Sequence, residues 1–233
     1  MMTADDVISS LEALGDSDIA KHSMRFFKTG KGEYGEGDRF IGIRVPVIRK
    51  QIKLYKTLPL DQVSQLLKHD IHEIRLFALL LLVARFKPKR SLEREQIYEI
   101  YLTHLGYINN WDLVDSSCHV IVGEYLADKD RTLLYQWAKH DNLWYRRIAI
   151  ISTLHFIKLN DFSDTLAIST ELLKDKEDLI HKATGWMLRE VGNRNQETLL
   201  DYLDKHYTIM PRTMLRYAIE KLTAQQRQHF LRR

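Results

Sequence analysis

Apolar residues recur at spacings of three and four along nearly the whole chain, and this periodicity constrains the fold more than any other feature. Val7, Leu11 and Leu14 form one stripe, Val63, Leu66 and Leu67 another, and Ile97, Ile100 and Tyr101 a third. No run of period-two alternation is bounded by hairpin turns. Pro46, Pro59, Pro88 and Pro211 each sit near the start of a periodic segment or just before it, where a missing N–H costs little. Thr3, Ser91, Asn109 or Asn110, and Asp161 are candidate N-caps. The pattern predicts an all-α chain of about a dozen helices, each of roughly 10–16 residues, joined by short loops.

A chain of 233 residues suits one domain over 1–233, or one short repeat array. With 45% hydrophobic and 28% charged residues it is too apolar for disorder. The longest apolar stretch, Leu76 to Ala84, is about half a membrane span. The start, Met-Met-Thr-Ala-Asp-Asp, is acidic where a secretion signal would be basic. The single cysteine allows no internal disulfide and no Cys-rich zinc site. These features predict a soluble cytoplasmic protein. Thirty-five Lys and Arg stand against 31 Asp and Glu, a net charge of +4, which is compatible with a polyanionic partner without demanding one.

Residues 28–44 break the helical pattern and hold five of the ten glycines. Gly30, Gly32 and Gly35 match G-x-G-x-x-G, but no strand precedes them and no crossover helix follows, so a dinucleotide site is not expected. A flexible or ligand-contacting loop is the better reading.

From about residue 74 the chain looks repetitive. Ile74-Arg75-Leu76-Phe77-Ala78, Val114-Asp115-Ser116-Ser117-Cys118, Tyr145-Arg146-Arg147-Ile148-Ala149, His181-Lys182-Ala183-Thr184-Gly185 and Met214-Leu215-Arg216-Tyr217-Ala218 share a pattern. A usually apolar residue is followed by a usually charged one, then by a small residue three further on. The small residues lie 40, 31, 36 and 33 positions apart. That spacing fits two-helix HEAT or armadillo repeats and predicts a helical solenoid with a basic concave binding face. One repeat departs from the pattern. Where the first, third and fourth place Arg75, Arg146 and Lys182, the second places Asp115, a carboxylate that phosphate binding would not favour.

Trp111 and Asp115 are four apart, so a helix stacks them on one face. Asp112, in the first turn, has a sufficient role at the positive end of the helix dipole. Asp115 lies a turn deeper; a salt bridge to a neighbouring repeat's arginine is the structural alternative for it. Trp144 precedes Arg146 and Arg147, and Lys182 precedes Trp186 and Arg189. Such tryptophans are either core or an aromatic platform for a sugar or base, and such arginines either a solvated face or a phosphate clamp. Other chemistries fit poorly. His72-Glu73 begins H-E-x-x-H, but Leu76 stands where the second histidine is needed. His119, His140, His155 and His181 lack metal-ligand spacing. Cys118 and His119 are helix neighbours that point about 100° apart, too divergent for a nucleophile pair.

Four motifs in order then resemble the AlkD-like DNA alkylation repair proteins. They are Phe40-Ile41-Gly42-Ile43-Arg44-Val45-Pro46 with Arg49-Lys50, Trp111-Asp112-Leu113-Val114-Asp115, Trp144-Tyr145-Arg146-Arg147, and His181 through Glu190. The resemblance runs from about residue 20 to the C-terminus. It implies a HEAT-like-repeat monofunctional glycosylase that removes N3- and N7-alkylated purines from duplex DNA without a metal or other cofactor. Asp115 would be the catalytic carboxylate, Trp111 and Trp186 aromatic walls around the deoxyribose, and Arg147 a phosphate contact. Arg146, Lys182 and Arg44 are further DNA-binding candidates. The expected partner is double-stranded DNA carrying alkylated bases, met by a monomer with no membrane association. A catalytically silent repeat module binding DNA or protein through its concave face is the alternative from another class.

Overall fold

The computed structural model describes residues 2–88 and 92–232; the candidate N-cap Ser91 lies outside them. The chain divides into two compact units, 1–117 and 118–233. The first contains α1 (Ala4–Glu12), α2 (Ser17–Phe26), α3 (Val45–Ile52), α4 (Leu60–Leu67), α5 (His72–Phe86), α6 (Arg94–Thr103) and α7 (Trp111–Asp115). The second contains α8 (Thr132–Ala138), α9 (Leu143–Ser152), α10 (Leu154–Lys158), α11 (Ser163–Glu171), α12 (Asp178–Arg194), α13 (Gln196–His206), α14 (Arg212–Ala218) and α15 (Ala224–Leu231). Among the described residues the only extended pairing is an isolated bridge between Arg39 and Ile71. The all-α expectation holds, although many helices are shorter than the sequence predicts.

Helix α5 organises the first unit, because a helix that is apolar all round must be covered on every side. It packs against α3, α4, α6 and α7, and Ile74, Phe77, Leu79, Leu81 and Phe86 are fully buried. Its first turn also buries His72, Glu73 and Arg75, polar residues that need partners. In the second unit α12 has the central place, packed against α9, α10, α11, α13 and α14. Leu188, Leu203, Met214 and Leu215 are sealed between these helices. A π-helical stretch, His119–Gly123, opens this unit and packs on α9 and α10.

The small residues of the repeat pattern lie in the interior. Ala78, Cys118, Ala149 and Ala218 are buried, and Gly185 sits where α14 crosses α12. A Cβ on Gly185 would come within 2.4 Å of the Met214 carbonyl oxygen. Thr3 caps α1 in a capping box with Asp6, and Asn110 rather than Asn109 caps α7. Pro46 lies in the first turn of α3, and Pro59 and Pro211 are the N-caps of α4 and α14. Two expectations need correction. Pro88 follows the end of α5 instead of opening a helix, and Asp161 lies one residue before the cap of α11, accepting from the Ser163 hydroxyl at 2.7 Å.

The glycine-rich stretch is non-helical and extensively hydrogen-bonded. Glu33 accepts from the Gly30 amide and Glu36 from the Gly32 amide, at 2.9 and 2.8 Å. At its far end the buried Glu73 carboxylate accepts three consecutive amides, from Ile41, Gly42 and Ile43, at 3.1, 2.8 and 3.2 Å. Gly42 has φ +86°, and a Cβ there would meet the Asp16 carbonyl oxygen at 2.0 Å, so only glycine fits.

Candidate functional site

The first unit carries Trp111 and Asp115 at the two ends of α7, one turn apart as their spacing predicts. Both are half-buried. Trp137 and Trp144, by contrast, are 7% and 6% exposed and belong to the core of the second unit. Trp111 does not stand alone. Its indole lies parallel to Phe27, with ring centroids 5.3 Å apart, and meets the edge of Phe26 at 5.8 Å. Phe26 is 57% exposed, so an aromatic surface reaches solvent beside Trp111. Phe27 also stacks on Phe40 at 5.0 Å, and Phe40 on the His72 ring at 4.5 Å.

Behind these rings lies a buried polar network. The His72 imidazole is bracketed by two carboxylates, Nδ1 at 2.8 Å from Asp38 and Nε2 at 2.8 Å from Asp112. Arg75 donates to the other Asp38 oxygen at 2.5 Å and to the Asn109 side chain at 3.2 Å. Asn110, fully buried, donates to Asp38 at 3.3 Å while its own oxygen accepts the Trp111 amide at 2.9 Å. Burial opposes charge on both His72 and Asp38, but the ion pairs prevail. The charge and hydrogen bond of Asp112, then those of Asp38, push His72 up to about 9. Hydrogen bonding and charge from His72, then Arg75, hold Asp38 below the usual carboxylate range.

Arg44 is exposed at the N-terminus of α3, on a cleft of about 650 Å³ that Phe27, His22 and Asp18 also line. In the second unit Arg146 and Arg147 lie on α9, and Lys182 and Trp186 on α12. Arg146 donates to Asp175 through Nε at 2.6 Å and to the His140 and Asp141 carbonyls at 2.7 and 2.6 Å. It thereby has a structural post, which the sequence does not distinguish from a phosphate contact. Arg147 is 5% exposed and donates to the Leu179 carbonyl at 2.5 Å, tying α9 to the start of α12. Lys182 pairs with Asp178 at 2.7 Å on the helix surface. Trp186 is half-buried and donates from Nε1 to Glu190 at 3.0 Å.

The repeat register also needs one adjustment. Arg75 and Arg146 turn back onto the loop before their helices, and are not displayed as a row of surface cations. The third residue in this post is His181, not Lys182, since His181 Nε2 bonds to the Asp175 carbonyl six residues earlier. The signal is present in the sequence as Lys68-His69-Asp70 and Lys139-His140-Asp141, each five residues before its arginine. In both, the histidine Nδ1 accepts the amide two residues on, at 3.1 and 3.0 Å. The residues to which the sequence assigns no part are Phe26, Phe27 and Asp38; Asn110 stands out only as a cap candidate and His72 only in an incomplete zinc motif, and nothing local links His72 to Asp38 or Asp112.

Among the described residues no group of His, Cys, Asp and Glu is arranged to hold a metal ion, and no helix is long and apolar enough to cross a membrane. The sequence matches the family model described as DNA alkylation repair enzyme over residues 7–222. The fold is similar to the solved structure of a predicted DNA alkylation repair enzyme from Enterococcus faecalis, with TM-score 0.69 and 17% identity. That match covers 90% of this chain and 97% of the other. No curated protein matches the chain.

Proposed function

The chain belongs to the DNA alkylation repair enzyme family, and from that premise we propose that it is a glycosylase excising cationic N3- and N7-alkylpurines from duplex DNA. The observation that carries this reading is α7, which sets a half-buried tryptophan and a half-buried carboxylate one turn apart beside an exposed phenylalanine. An N7-alkylguanine or N3-alkyladenine is already charged and leaves without protonation. The remaining task is to stabilise positive charge growing on the deoxyribose as the glycosidic bond stretches.

Asp115 does this electrostatically and orients the attacking water. At about 4 Å and an effective dielectric near 20, the attraction is roughly 4 kcal/mol, close to three orders of magnitude in rate if realised only in the transition state. Trp111 adds cation–π attraction to the same charge, and Trp186 is a further candidate for stacking on a sugar. Arg147 meets a backbone phosphate by exchanging its bond to the Leu179 carbonyl, with Lys182 and Arg44 as further phosphate contacts. Arg146 serves by holding the loop before α9. The hydrolysis needs no cofactor, and lability of the cationic lesion supplies much of the selectivity.

The test is a duplex with one 7-methylguanine, incubated with wild type and Asp115→Asn under single-turnover conditions. Free base from wild type and none from the folded variant supports the reading. Intact duplex binding with no release by either makes the protein a silent DNA-binding module. Efficient excision of uncharged uracil or hypoxanthine would overturn the selectivity argument.

A further inference from the structure

We propose that His72 is a positioning residue for α7, clamping the helix that carries Trp111 and Asp115 to the end of the glycine-rich loop; the catalytic part of this inference rests on the function proposed above. Two routes lead from the imidazole to Trp111. One is polar: His72 Nε2 holds Asp112, whose other oxygen accepts the Leu113 amide at 2.9 Å, fixing the first turn of α7. On its other side His72 Nδ1 holds Asp38, and Asp38 accepts from Asn110, whose side-chain oxygen accepts the Trp111 amide. The second route is aromatic, since the His72 ring stacks on Phe40, Phe40 on Phe27, and Phe27 on Trp111.

The charged groups around the ring are accounted for. Asp38 faces it from the loop and Asp112 from α7, while on α5 Arg75 engages the far oxygen of Asp38 and Glu73 turns toward the amides of 41–43. Both ring nitrogens meet a carboxylate oxygen, which requires the imidazolium: a neutral imidazole has one N–H and would leave a carboxylate facing a lone pair. Burial of 1% exposure keeps water from substituting. The clamp therefore holds in the protonated state and loosens on the Asp38 or Asp112 side when the proton leaves. An error of about 1 Å in a reacting group costs on the order of a hundredfold in rate, so a clamp one residue removed from Trp111 is felt in chemistry.

The experiment uses the full chain labelled with 5-fluorotryptophan, its Trp111 resonance assigned by loss in Trp111→Phe. In wild type that resonance shifts between pH 7 and 10.5 with a midpoint near 9, where the His72 proton leaves. In His72→Gln it is displaced at pH 7 and flat with pH; in Asp112→Asn, the milder variant if the first does not fold, it is displaced at pH 7 and its midpoint falls below that of wild type, because His72 then keeps only Asp38. Under single turnover at pH 7, both folded variants release 7-methylguanine about tenfold to a hundredfold more slowly. Their duplex affinity stays within about threefold. A Trp111 resonance that matches wild type in either folded variant, position and titration alike, overturns the clamp. Absence of base release by wild type overturns the glycosylase reading and leaves the fluorine titration to decide the clamp by itself.

Discussion

Arg75 and Arg146 do the same thing in the two units: each donates to the carbonyls six and five residues before it, and each then reaches a buried aspartate, Asp38 or Asp175. The guanidinium thus ties the loop that precedes its helix to a second loop. Asp175 has a side chain only 5% exposed, so removing its partner strands a charge. Arg146→Ala is expected to cost about 3 kcal/mol in urea denaturation at pH 7. Duplex affinity of the folded fraction should change less than in Arg147→Ala.

Arg147 is where a change in DNA binding is expected. Arg147→Ala should weaken duplex binding, with the slope of log affinity against log salt falling by about one contact. Asp115→Asn should leave that slope unchanged and binding equal or tighter, since it removes a negative charge. Filter binding or anisotropy at several salt concentrations separates the two. An unchanged slope in Arg147→Ala would remove Arg147 from the interface.

Stability should depend on pH through His72. Its folded value is raised from 6.5 to about 9, so its contribution is complete below the unfolded value and is lost as pH rises through the folded one. The loss between about pH 6.5 and 9 amounts to roughly 3 kcal/mol by linkage. Asp38 acts in the opposite sense: its value is lowered from 3.8, so its contribution is present above that and disappears in acid. Chemical denaturation across pH 6 to 10 should show the alkaline fall in wild type and not in His72→Gln.

The crossing of α12 and α14 should tolerate no added methyl. A Cβ at Gly185 would press on the Met214 carbonyl oxygen at 2.4 Å and the Tyr217 Cβ at 2.5 Å, backbone and the root of a side chain. Gly185→Ala should therefore destabilise by about 1–3 kcal/mol despite its better helix propensity, as thermal unfolding would report.

Much of this was legible beforehand, and the boundary is physical. Helices follow from periods of three and four, and Ala78, Ala149 and Gly185 from the recurrence of a small residue at intervals of 31 to 40 positions. Trp111 and Trp186, the two tryptophans that the resemblance singles out, are the less buried of the four, which is an observation on exposure and not on role. What local spacing cannot show is which distant residues share a charge. Asp38, His72 and Asp112 meet across separations of 34 and 40 residues. Nor does a sequence distinguish an arginine that faces outward from one that folds back on a carbonyl, as Arg146 does. Phe26 and Phe27, at the C-terminal end of α2, carry no motif that points to their contacts with Trp111.

Glu73 has a consequence for how this molecule would look to deuterium. The Ile41, Gly42 and Ile43 amides belong to no helix and no sheet, yet a single carboxylate, 3% exposed, accepts all three. Their exchange with solvent awaits the opening of the α5 amino terminus, so it should be as slow as that of a helical core. A protection map would draw regular structure through a stretch of chain that has none, and replacing one side chain thirty residues away would erase it.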